Sequence, residues 1–558
     1  MAPHRIAAVA ALGLAGAAIL LVGLPVPGAA EGLAVEAAWV PRGLLGPRGV
    51  GAIKAGVATL ATALLLWGLW LERRGRSRDL RTLRDALLAG LGLLGAACWL
   101  NLFQFHYPAV GHASDTFHYY LGAKYFPELR YTRLYACTAV ADSEAGAPAE
   151  RPIRDLETNQ LITSAGVLAD PSRCKRHFSA ARWAAFRNDV DFLRTRVPTR
   201  RWQRFQQDHG YNATPLWGAV GYALTQTGPA SAPQLTWLRA LDPLLLGISV
   251  AGLALAFGWR ITCVAVIYFG TNYAAPYGWT GGSILRYDWL AASLLGLALL
   301  RRGWPASGGV LLTLAVLLRL FPVFLLAGIA LASGGRWLKE RRPSLNGEER
   351  RIALGVALTL AIALPVCAWL VGPESGAEFV RNSRTHLSTP LANHVGLRTV
   401  LSHDADHRSA VAHDPQLADP MGPWKEARRT RFASQQLFFW ALVLGFGALV
   451  ARAGAGAPAW VGAVLGVAWI PVAAELTGYY WSVLAALALL GGRHPVLLPG
   501  LCALSALGWA VASVWHWTDE IHVWLSVLTV AFCVFTVLLA TPRSGRDASV
   551  HDSKSALK

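Results

Sequence analysis

The residues best suited to chemistry follow directly after an apolar segment, in the stretch 112–126 that contains Asp115. A carboxylate at the end of a membrane-spanning segment lies at the boundary between water and lipid. There Asp115 can act as a general base towards a hydroxyl group on a lipid-embedded substrate. A structural role is the alternative, because Ser114 or Asp115 can cap the helix that follows.

Two further ionisable side chains lie in apolar surroundings. Arg319 is flanked by leucines within the apolar segment 306–331, and Glu475 lies close to Tyr479. Charged groups inside a membrane are costly and are therefore functional candidates. Arg319 can instead reach the membrane surface or form an internal ion pair, and Glu475 can be structural. Because Pro322 lacks the backbone donor that a helix needs, we predict two short half-helices that meet at Arg319.

Membrane helices must position these residues. The chain has 558 residues, of which 54% are hydrophobic and 15% charged, whereas a soluble domain carries about 25% charged residues. This composition excludes a water-soluble enzyme. A bilayer-spanning helix needs about 20 apolar residues, and we count about 12–14 such segments. The sequence therefore predicts an all-α polytopic membrane protein of about 12–14 transmembrane helices with a long helical outer loop.

The formal charge of +18 raises the question of nucleic acid. The basic residues, however, cluster between apolar segments, as the positive-inside rule describes for cytoplasmic loops. Membrane topology explains the charge, so we expect membrane lipids but no nucleic acid as a partner. Arg far outnumbers Lys among the 51 basic residues, which, with the richness in Ala and Gly, points to a GC-rich bacterial genome and to a bacterial inner membrane.

The Arg-rich turn 73–84 places the connection between the second and third spans in the cytoplasm. The third span therefore ends on the opposite, periplasmic side. We predict six parts: a three-helix membrane segment over 1–104, an outer region with Asp115 and amphipathic helices over 105–237, central transmembrane helices over 238–371, a second outer loop over 372–435, C-terminal transmembrane helices over 436–541 and a disordered cytoplasmic tail over 542–558.

Two short stretches are open to more than one interpretation. The first apolar segment, 6–24, resembles a signal peptide, because a basic residue precedes it and prolines and alanines follow it. With many spans after it, we interpret it as a retained first helix. The stretch 211–227 is predicted as a short or dipping helix, and its side of the membrane stays open.

Apolar residues recur at spacings of three and four in the outer region, at Trp183, Phe186, Val190, Leu193 and Val197. This pattern predicts an amphipathic helix. Its apolar face can rest on the membrane surface or pack on the outer ends of the spans.

Cys137 and Cys174 are the two cysteines of the outer region. An oxidising compartment permits a disulfide between them, which would stabilise the loop by about 3–4 kcal/mol. Free thiols are the alternative. The remaining cysteines lie in apolar segments, where a thiol behaves as a small hydrophobic group.

Two patterns fit metal ligands, and we favour a structural interpretation of both. The Asp-x-Asp pattern at 189–191 matches the metal motif of soluble nucleotide-sugar transferases, but Val190 lies on the apolar stripe and leaves the carboxylates on its flanks. His403 and His407, with Asp404 between them, have a spacing that suits Zn²⁺ on a helix. Because prolines follow in the same loop, we favour a solvated polar loop there.

The order of several short motifs resembles the GT-C superfamily of membrane glycosyltransferases, and glycosyltransferase family 87 in particular. The matching segments are Asp115 with Tyr119-Tyr120, Ala123-Lys124 and Leu134-Tyr135, then Tyr211 to Trp217, Gly281-Gly282-Ser283, Arg319-Leu320-Phe321-Pro322, Asn393 to Arg398 and Pro471 to Tyr480. The chain departs from the family in having three spans before Asp115, where the family usually has one. It also has His394 where the family has Gln.

The resemblance implies a GT-C-like bundle of transmembrane helices. It also implies a mannosyltransferase or another hexosyltransferase that takes its sugar from a polyprenyl-phosphate donor. The acceptor would be a lipid or a glycan on the outer face of the membrane, the reaction would invert the anomeric carbon, and Asp115 would be the catalytic base. Fixed cationic donors rather than a metal can meet the leaving phosphate, so we expect no cofactor. The predicted substrate-binding residues are His118, Tyr119, Lys124, Arg286, Arg319, His394, Arg398, Glu475 and Tyr479.

Other functions remain open at this point. A transporter or flippase for lipid-linked glycans could line its path with Arg319 and Glu475, and a polymerase or ligase of such glycans could use outer-loop arginines. Transporter folds often contain inverted repeats, and no internal repeat is evident in the sequence.

Overall fold

A computed structural model of the protein describes residues 45–107, 109–147 and 150–542. The predicted first span, 6–24, and nearly all of the C-terminal tail lie outside the described residues. Within the described ranges the chain is mostly helical and contains two small two-stranded antiparallel sheets. The prediction of an all-α membrane protein is confirmed at this level.

Helices and strands follow one another along the first half of the chain. The membrane helices α1 (Pro47–Arg73) and α2 (Arg81–Trp99) come first. The outer region contains α3 (Ala113–Thr116), a π-helix (Phe117–Leu121), α4 (Gly122–Lys124), α5 (Phe126–Leu129), α6 (Leu134–Glu144), β1 (Pro152–Asp155), β2 (Gln160–Thr163), α7 (Ala165–Ala169), α8 (Ser172–Lys175), α9 (Ala180–Arg194), α10 (Thr199–Phe205) and α11 (Pro215–Thr225).

The second half returns to the membrane and contains a second outer region. The central helices are α12 (Ala232–Phe257), α13 (Trp259–Thr271), α14 (Tyr277–Thr280), α15 (Asp288–Arg301), α16 (Pro305–Leu318), α17 (Val323–Glu340) and α18 (Gly347–Val371). They are followed by α19 (Ser375–Leu387), β3 (His394–Val395), α20 (Leu397–Leu401), α21 (Gly422–Gly454), α22 (Ala459–Ala473), β4 (Leu476–Thr477), a 3₁₀ helix (Gly478–Gly492), α23 (Leu497–Val514) and α24 (Thr518–Ala540).

Seven of the described helices are long and apolar enough to cross a membrane, namely α1, α2, α12, α18, α21, α23 and α24. The sequence predicted about 12–14 spans, because windows of about 20 apolar residues were each counted as one crossing. Several of those windows are shorter helices buried in the protein: most side chains of α22 and of the 3₁₀ helix are buried. An all-round apolar helix packed inside the protein has the same hydropathy as one that faces lipid.

The predicted break at Arg319 is present. Helix α16 ends at Leu318, Arg319 has extended backbone angles, and α17 begins after Pro322. The carbonyl of Leu318, at the end of α16, accepts hydrogen bonds from Thr214 Oγ1 at 3.2 Å and from Arg319 Nη1 at 2.8 Å. The break therefore places Arg319 at the C-terminal end of α16, and Thr214 of the outer region binds the carbonyl of the preceding residue.

The amphipathic stripe in the outer region faces the protein interior. In α9 the side chains of Trp183, Phe186, Val190 and Leu193 are buried, and the helix packs against α6. Val197 lies beyond the end of the helix. The stripe is buried in protein, as the packing interpretation expected, but among the described residues its main contacts are with α6 and the π-helix of the same region and not with the ends of the spans as predicted.

A disulfide and the packing of one helix further stabilise the outer region. Cys137 in α6 and Cys174 in α8 form a disulfide, with Cα atoms 5.3 Å apart. Helix α11 lies within the stretch 211–227, where a short helix was predicted, and Thr214 caps it by accepting a hydrogen bond from Trp217 N. This helix packs against α18 and α16, so it connects the outer region to the membrane helices.

Candidate functional site

Asp115 in α3 faces the loop that leads into α15. Its Oδ2 lies 2.9 Å from Nε of Arg286, and the two side chains are 16% and 4% exposed. The helix is capped by His112, because Asp115 N donates a hydrogen bond to His112 Nδ1 at 3.0 Å. The alternative that Ser114 or Asp115 caps this helix is therefore wrong, and the Asp115 carboxylate is available for other contacts.

Charge, rather than a well-aligned hydrogen bond, holds Asp115 and Arg286 together. Within the described residues, Asp115 Oδ2 and Arg286 Nε and Nη1 are shielded from solvent and have no hydrogen-bond partner of good geometry. Burial opposes the charge of Arg286, but Asp115 and nearby tyrosines raise the pKa of Arg286 well above its ordinary value. The guanidinium therefore stays protonated and keeps unused donors beside the carboxylate.

The loop before α15 is fixed by a buried carboxylate. Backbone N of Arg286 and of Tyr287 donate hydrogen bonds to Oδ2 and Oδ1 of Asp242 in α12, at 2.8 and 3.0 Å. On the other side, Trp217 Nε1 donates to the carbonyl of Leu285 at 2.8 Å. These contacts from two helices set the position of the Arg286 backbone.

A glycine lets the same loop approach the segment that leads into Asp115. Gly282 has a φ of 72°, and a Cβ built on it would lie 2.1 Å from the carbonyl oxygen of Val110. The two segments are also joined by a hydrogen bond from His112 N to Gly282 O at 3.1 Å. The turn 281–283, which matched a family motif, therefore brings Arg286 to Asp115.

Tyr119 lies between two guanidinium groups. Its ring centre is 3.9 Å from Cζ of Arg286 and 5.8 Å from Cζ of Arg319, and its hydroxyl donates to Asn212 Oδ1 at 2.7 Å. Arg319 is buried and has no carboxylate oxygen within 4.0 Å in the part of the chain that the structure describes. Of these two buried guanidinium groups, Arg286 alone has a carboxylate oxygen within 4.0 Å among the described residues, that of Asp115.

Further aromatic side chains, Tyr479 and Tyr480, lie next to Arg286. The ring of Tyr479 lies 5.7 Å from Cζ of Arg286 and 4.4 Å from the ring of Tyr480. Tyr480 contacts Phe321 and Trp289, with ring centres 4.9 and 5.8 Å apart. Of the predicted site residues, the structure brings together Asp115, Tyr119, Arg286, Arg319 and Tyr479.

Glu475 has a separate set of partners. Its Oε1 accepts hydrogen bonds from Arg428 Nη2 at 2.6 Å and Thr399 Oγ1 at 2.8 Å, while Oε2 lies 3.6 Å from His394 Nδ1 and 3.7 Å from Arg398 Nε. Burial opposes ionisation, but His394 and the two arginines lower the pKa of Glu475 to about 2. These contacts support the structural alternative for Glu475. His394 and Arg398, which were predicted to bind substrate, lie beside Glu475 instead of near Asp115.

His118 and Lys124 point into the core of the outer region. His118 Nε2 is 2.7 Å from the hydroxyl of Tyr135 and 3.2 Å from the carbonyl oxygen of Phe205. Lys124 Nζ is 2.6 Å from Oδ2 of Asp189, and both side chains are buried. Their polar atoms hold protein segments together, so the prediction that they bind substrate gains no support from these contacts.

Neither metal pattern gathers a ligand set. Next to Val190, Asp189 is buried and paired with Lys124, while Asp191 is half-exposed and paired with Arg194. His403 lies past the end of α20, 3.9 Å from Glu520, and His407 is 3.2 Å from Asp404. Across the described ranges, no group of three or more His, Cys, Asp and Glu side chains could hold a metal ion.

Sequence reasoning missed three residues of the site. Asp242 and Asp288 are buried, and Asp288 Oδ2 has no hydrogen-bond partner among the described residues. A carboxylate inside an apolar segment is a signal that could have identified both. No such signal was available for His112 as a helix cap, because its role depends on the local turn.

Similarity to known proteins adds nothing to this geometry. No family model, no curated protein and no solved structure matches the chain. The resemblance to the GT-C superfamily therefore rests on the sequence motifs alone.

Proposed function

We propose that this protein is a membrane glycosyltransferase that moves mannose or another hexose from a polyprenyl-phosphate donor to a lipid or glycan acceptor outside the cytoplasmic membrane. The supporting observation is the carboxylate of Asp115 beside the buried guanidinium groups of Arg286 and Arg319. A base next to two fixed guanidinium groups suits a reaction in which a hydroxyl loses its proton and a phosphate leaves.

The two arginines hold the phosphate of the donor. This phosphate carries one negative charge in the donor and gains more as the bond to the sugar breaks. Arg286 Nη1 and Arg319 Nη2 are shielded from solvent without a hydrogen-bond partner among the described residues, so they can donate to phosphate oxygens. Such charge-assisted hydrogen bonds are strong, and fixed donors of this kind stabilise charge that develops in a transition state.

Asp115 takes the proton of the acceptor. In the free protein its carboxylate is paired with Arg286, and the phosphate of the donor competes for that guanidinium. The released carboxylate accepts the proton of the acceptor hydroxyl. The hydroxyl oxygen bonds to the anomeric carbon with inversion, the bond from that carbon to the phosphate oxygen breaks, and its electron pair stays on the polyprenyl phosphate that leaves.

The test is Asp115→Asn in purified full-length protein supplied with radiolabelled polyprenyl-phosphate mannose and a glycolipid extract as acceptor. We expect transfer to fall by about 10²–10⁴-fold, the usual contribution of a general base, while donor binding is retained. The matched control is Asp170→Asn, a half-exposed carboxylate of the same outer region, which should transfer at the normal rate.

Two outcomes separate this proposal from its alternatives. Unchanged transfer by Asp115→Asn would reject Asp115 as the base. If the unaltered protein transfers no sugar but moves a labelled lipid-linked glycan across liposomes, the protein is a transporter or flippase and the proposal is wrong.

A further inference from the structure

A cavity lies on the face of α3 that does not carry Asp115, apart from the candidate site described above. Ala113 and Thr116 line it, and three residues of separation place them on one side of the helix. Its walls are largely apolar and include Phe192, Trp202 and Leu235. The enclosed space is about 50 Å³, which suits a small charged group, and an attached hydrocarbon chain would lie along the apolar walls at the open mouth.

One wall of this cavity is formed by an arginine of a membrane-spanning helix. Arg239 lies in α12, its Nε is shielded from solvent, and that atom has no hydrogen-bond partner among the described residues. In the described ranges no carboxylate oxygen lies within 4.0 Å of its guanidinium. A guanidinium keeps its charge, and a shielded N–H of such a group without an acceptor is costly in a membrane segment. An anionic ligand would remove this cost.

The position of Arg239 is fixed by close packing. A Cβ built on Gly111 would lie 2.2 Å from Cζ of Arg239, so the guanidinium lies directly against the backbone of Gly111. The side chain is therefore held beside Gly111, which also lines the cavity.

A second guanidinium lines the same cavity. Arg196 is stacked on Phe192, with Cζ 3.4 Å from the ring centre, and its Nη1 donates to the Phe192 carbonyl at 2.7 Å. It too has no carboxylate within 4.0 Å in the described part of the chain. Two cations on apolar walls complement a molecule with an anionic head and a hydrocarbon chain.

The depth of Arg239 suits a phospholipid head group. Helix α12 begins at Ala232 next to the outer region, and at 1.5 Å per residue Arg239 lies about 10 Å along it. We propose that this cavity binds the phosphate and the adjoining chain of an anionic phospholipid from the outer leaflet of the membrane. The site is distinct from the Arg286 and Arg319 pair, and it does not depend on the proposed transferase activity.

The test is native mass spectrometry of the full-length protein in detergent, with phosphatidylglycerol or phosphatidylcholine of the same acyl chains. We expect the protein to retain phosphatidylglycerol in preference, and Arg239→Gln to weaken that binding by about tenfold or more, as expected when a charged hydrogen-bond partner is lost. The matched control, Arg302→Gln, changes an exposed arginine at the end of α15 and should bind as the unaltered protein does.

A second variant tests the cavity independently, in case Arg239→Gln loses lipid binding because it misfolds. Ala232→Trp adds bulk to an exposed residue that lines the cavity while both guanidinium groups are kept, and it should also reduce phosphatidylglycerol binding. Free inorganic phosphate at the same concentration should not displace the lipid, because it lacks the chain.

Three results would overturn the proposal: equal retention of the two lipids, undiminished phosphatidylglycerol binding by both variants, or displacement by free phosphate alone. A loss of polyprenyl-phosphate binding in Arg239→Gln with phosphatidylglycerol binding intact would also overturn it, since the cavity would then belong to the donor site.

Discussion

The guanidinium carbon of Arg286 lies 3.9 Å from the ring centre of Tyr119. A cation over the face of an aromatic ring is attracted by about 0.5–2 kcal/mol, and the ring is itself held by the hydrogen bond from its hydroxyl to Asn212. Arg286 is therefore oriented by an aromatic contact as well as by Asp115, before any substrate arrives.

Arg286→Gln should weaken donor binding by about tenfold or more, because it removes charge-assisted hydrogen bonds to phosphate. Arg286→Lys should be intermediate, since lysine keeps the charge but loses the planar guanidinium. Equilibrium binding of radiolabelled donor measures both. Arg200→Gln, at an exposed position of α10, is the control, and donor binding by Arg286→Gln at the normal affinity would show that the phosphate binds elsewhere.

Gly282→Ala should destabilise the protein by more than about 1 kcal/mol, because alanine is strained at positive φ and its Cβ would meet the Val110 carbonyl at 2.1 Å. The loop would move, and with it Arg286, so the transfer rate should fall as well. Thermal unfolding and transfer assays measure the two effects. Gly278→Ala is the control, since its Cβ would enter open space; equal stability of the two variants would contradict the close approach.

Glu475→Gln should destabilise the protein at neutral pH and change its pH dependence. The pKa of Glu475 is lowered from 4.5 to about 2 in the folded protein, so its contribution is complete above the unfolded value and is lost as the pH falls from about 4.5 towards 2. The shift corresponds to about 3 kcal/mol. The unaltered protein should be more stable than Glu475→Gln at pH 7, and thermal unfolding should show this difference in stability becoming smaller as the pH falls to about 3.

The control for this comparison is Glu374→Gln, which changes a largely exposed carboxylate 3.9 Å from Arg130. It should leave the pH dependence unchanged. A constant difference in stability between the unaltered protein and Glu475→Gln at every pH would show that Glu475 is not held ionised by its neighbours.

Cys137→Ser should lower the stability of the outer region by about 3 kcal/mol, because a cross-link restricts the conformations of the unfolded chain. The two cysteines are 37 residues apart in sequence. Thermal unfolding with and without a reductant measures the effect, because reduction should lower the stability of the unaltered protein but not of the variant. Cys263→Ser changes a free thiol and should respond to reductant as the unaltered protein does.

Local sequence signals predicted those parts of the fold that depend on neighbours in sequence. Pro322 predicted the break at Arg319, and the spacing of Trp183, Phe186, Val190 and Leu193 predicted the buried stripe of α9. The disulfide followed from two cysteines in one outer segment. Each of these features depends on residues that are close together in sequence or few in number.

Contacts between distant segments were not predictable in the same way. Lys124 resembled a substrate ligand, but its partner, Asp189, is contributed by α9. Asp242 fixes the loop of Arg286 from another helix, and no spacing in the sequence indicates that pairing. Hydropathy alone does not distinguish burial in protein from exposure to lipid, and the described residues contain seven long apolar helices where about 12–14 spans were predicted.

Trp217 contacts three parts of the site at once: its Nε1 donates to the Leu285 carbonyl at 2.8 Å, and its ring lies 4.9 Å from Tyr119 and 5.9 Å from Arg319. Residues that share a partner in this way show non-additive effects on substitution. A substitution of Trp217 would therefore be tolerated only together with compensating changes elsewhere in the site. In related sequences, residues of this site should change together with position 217 and not one at a time.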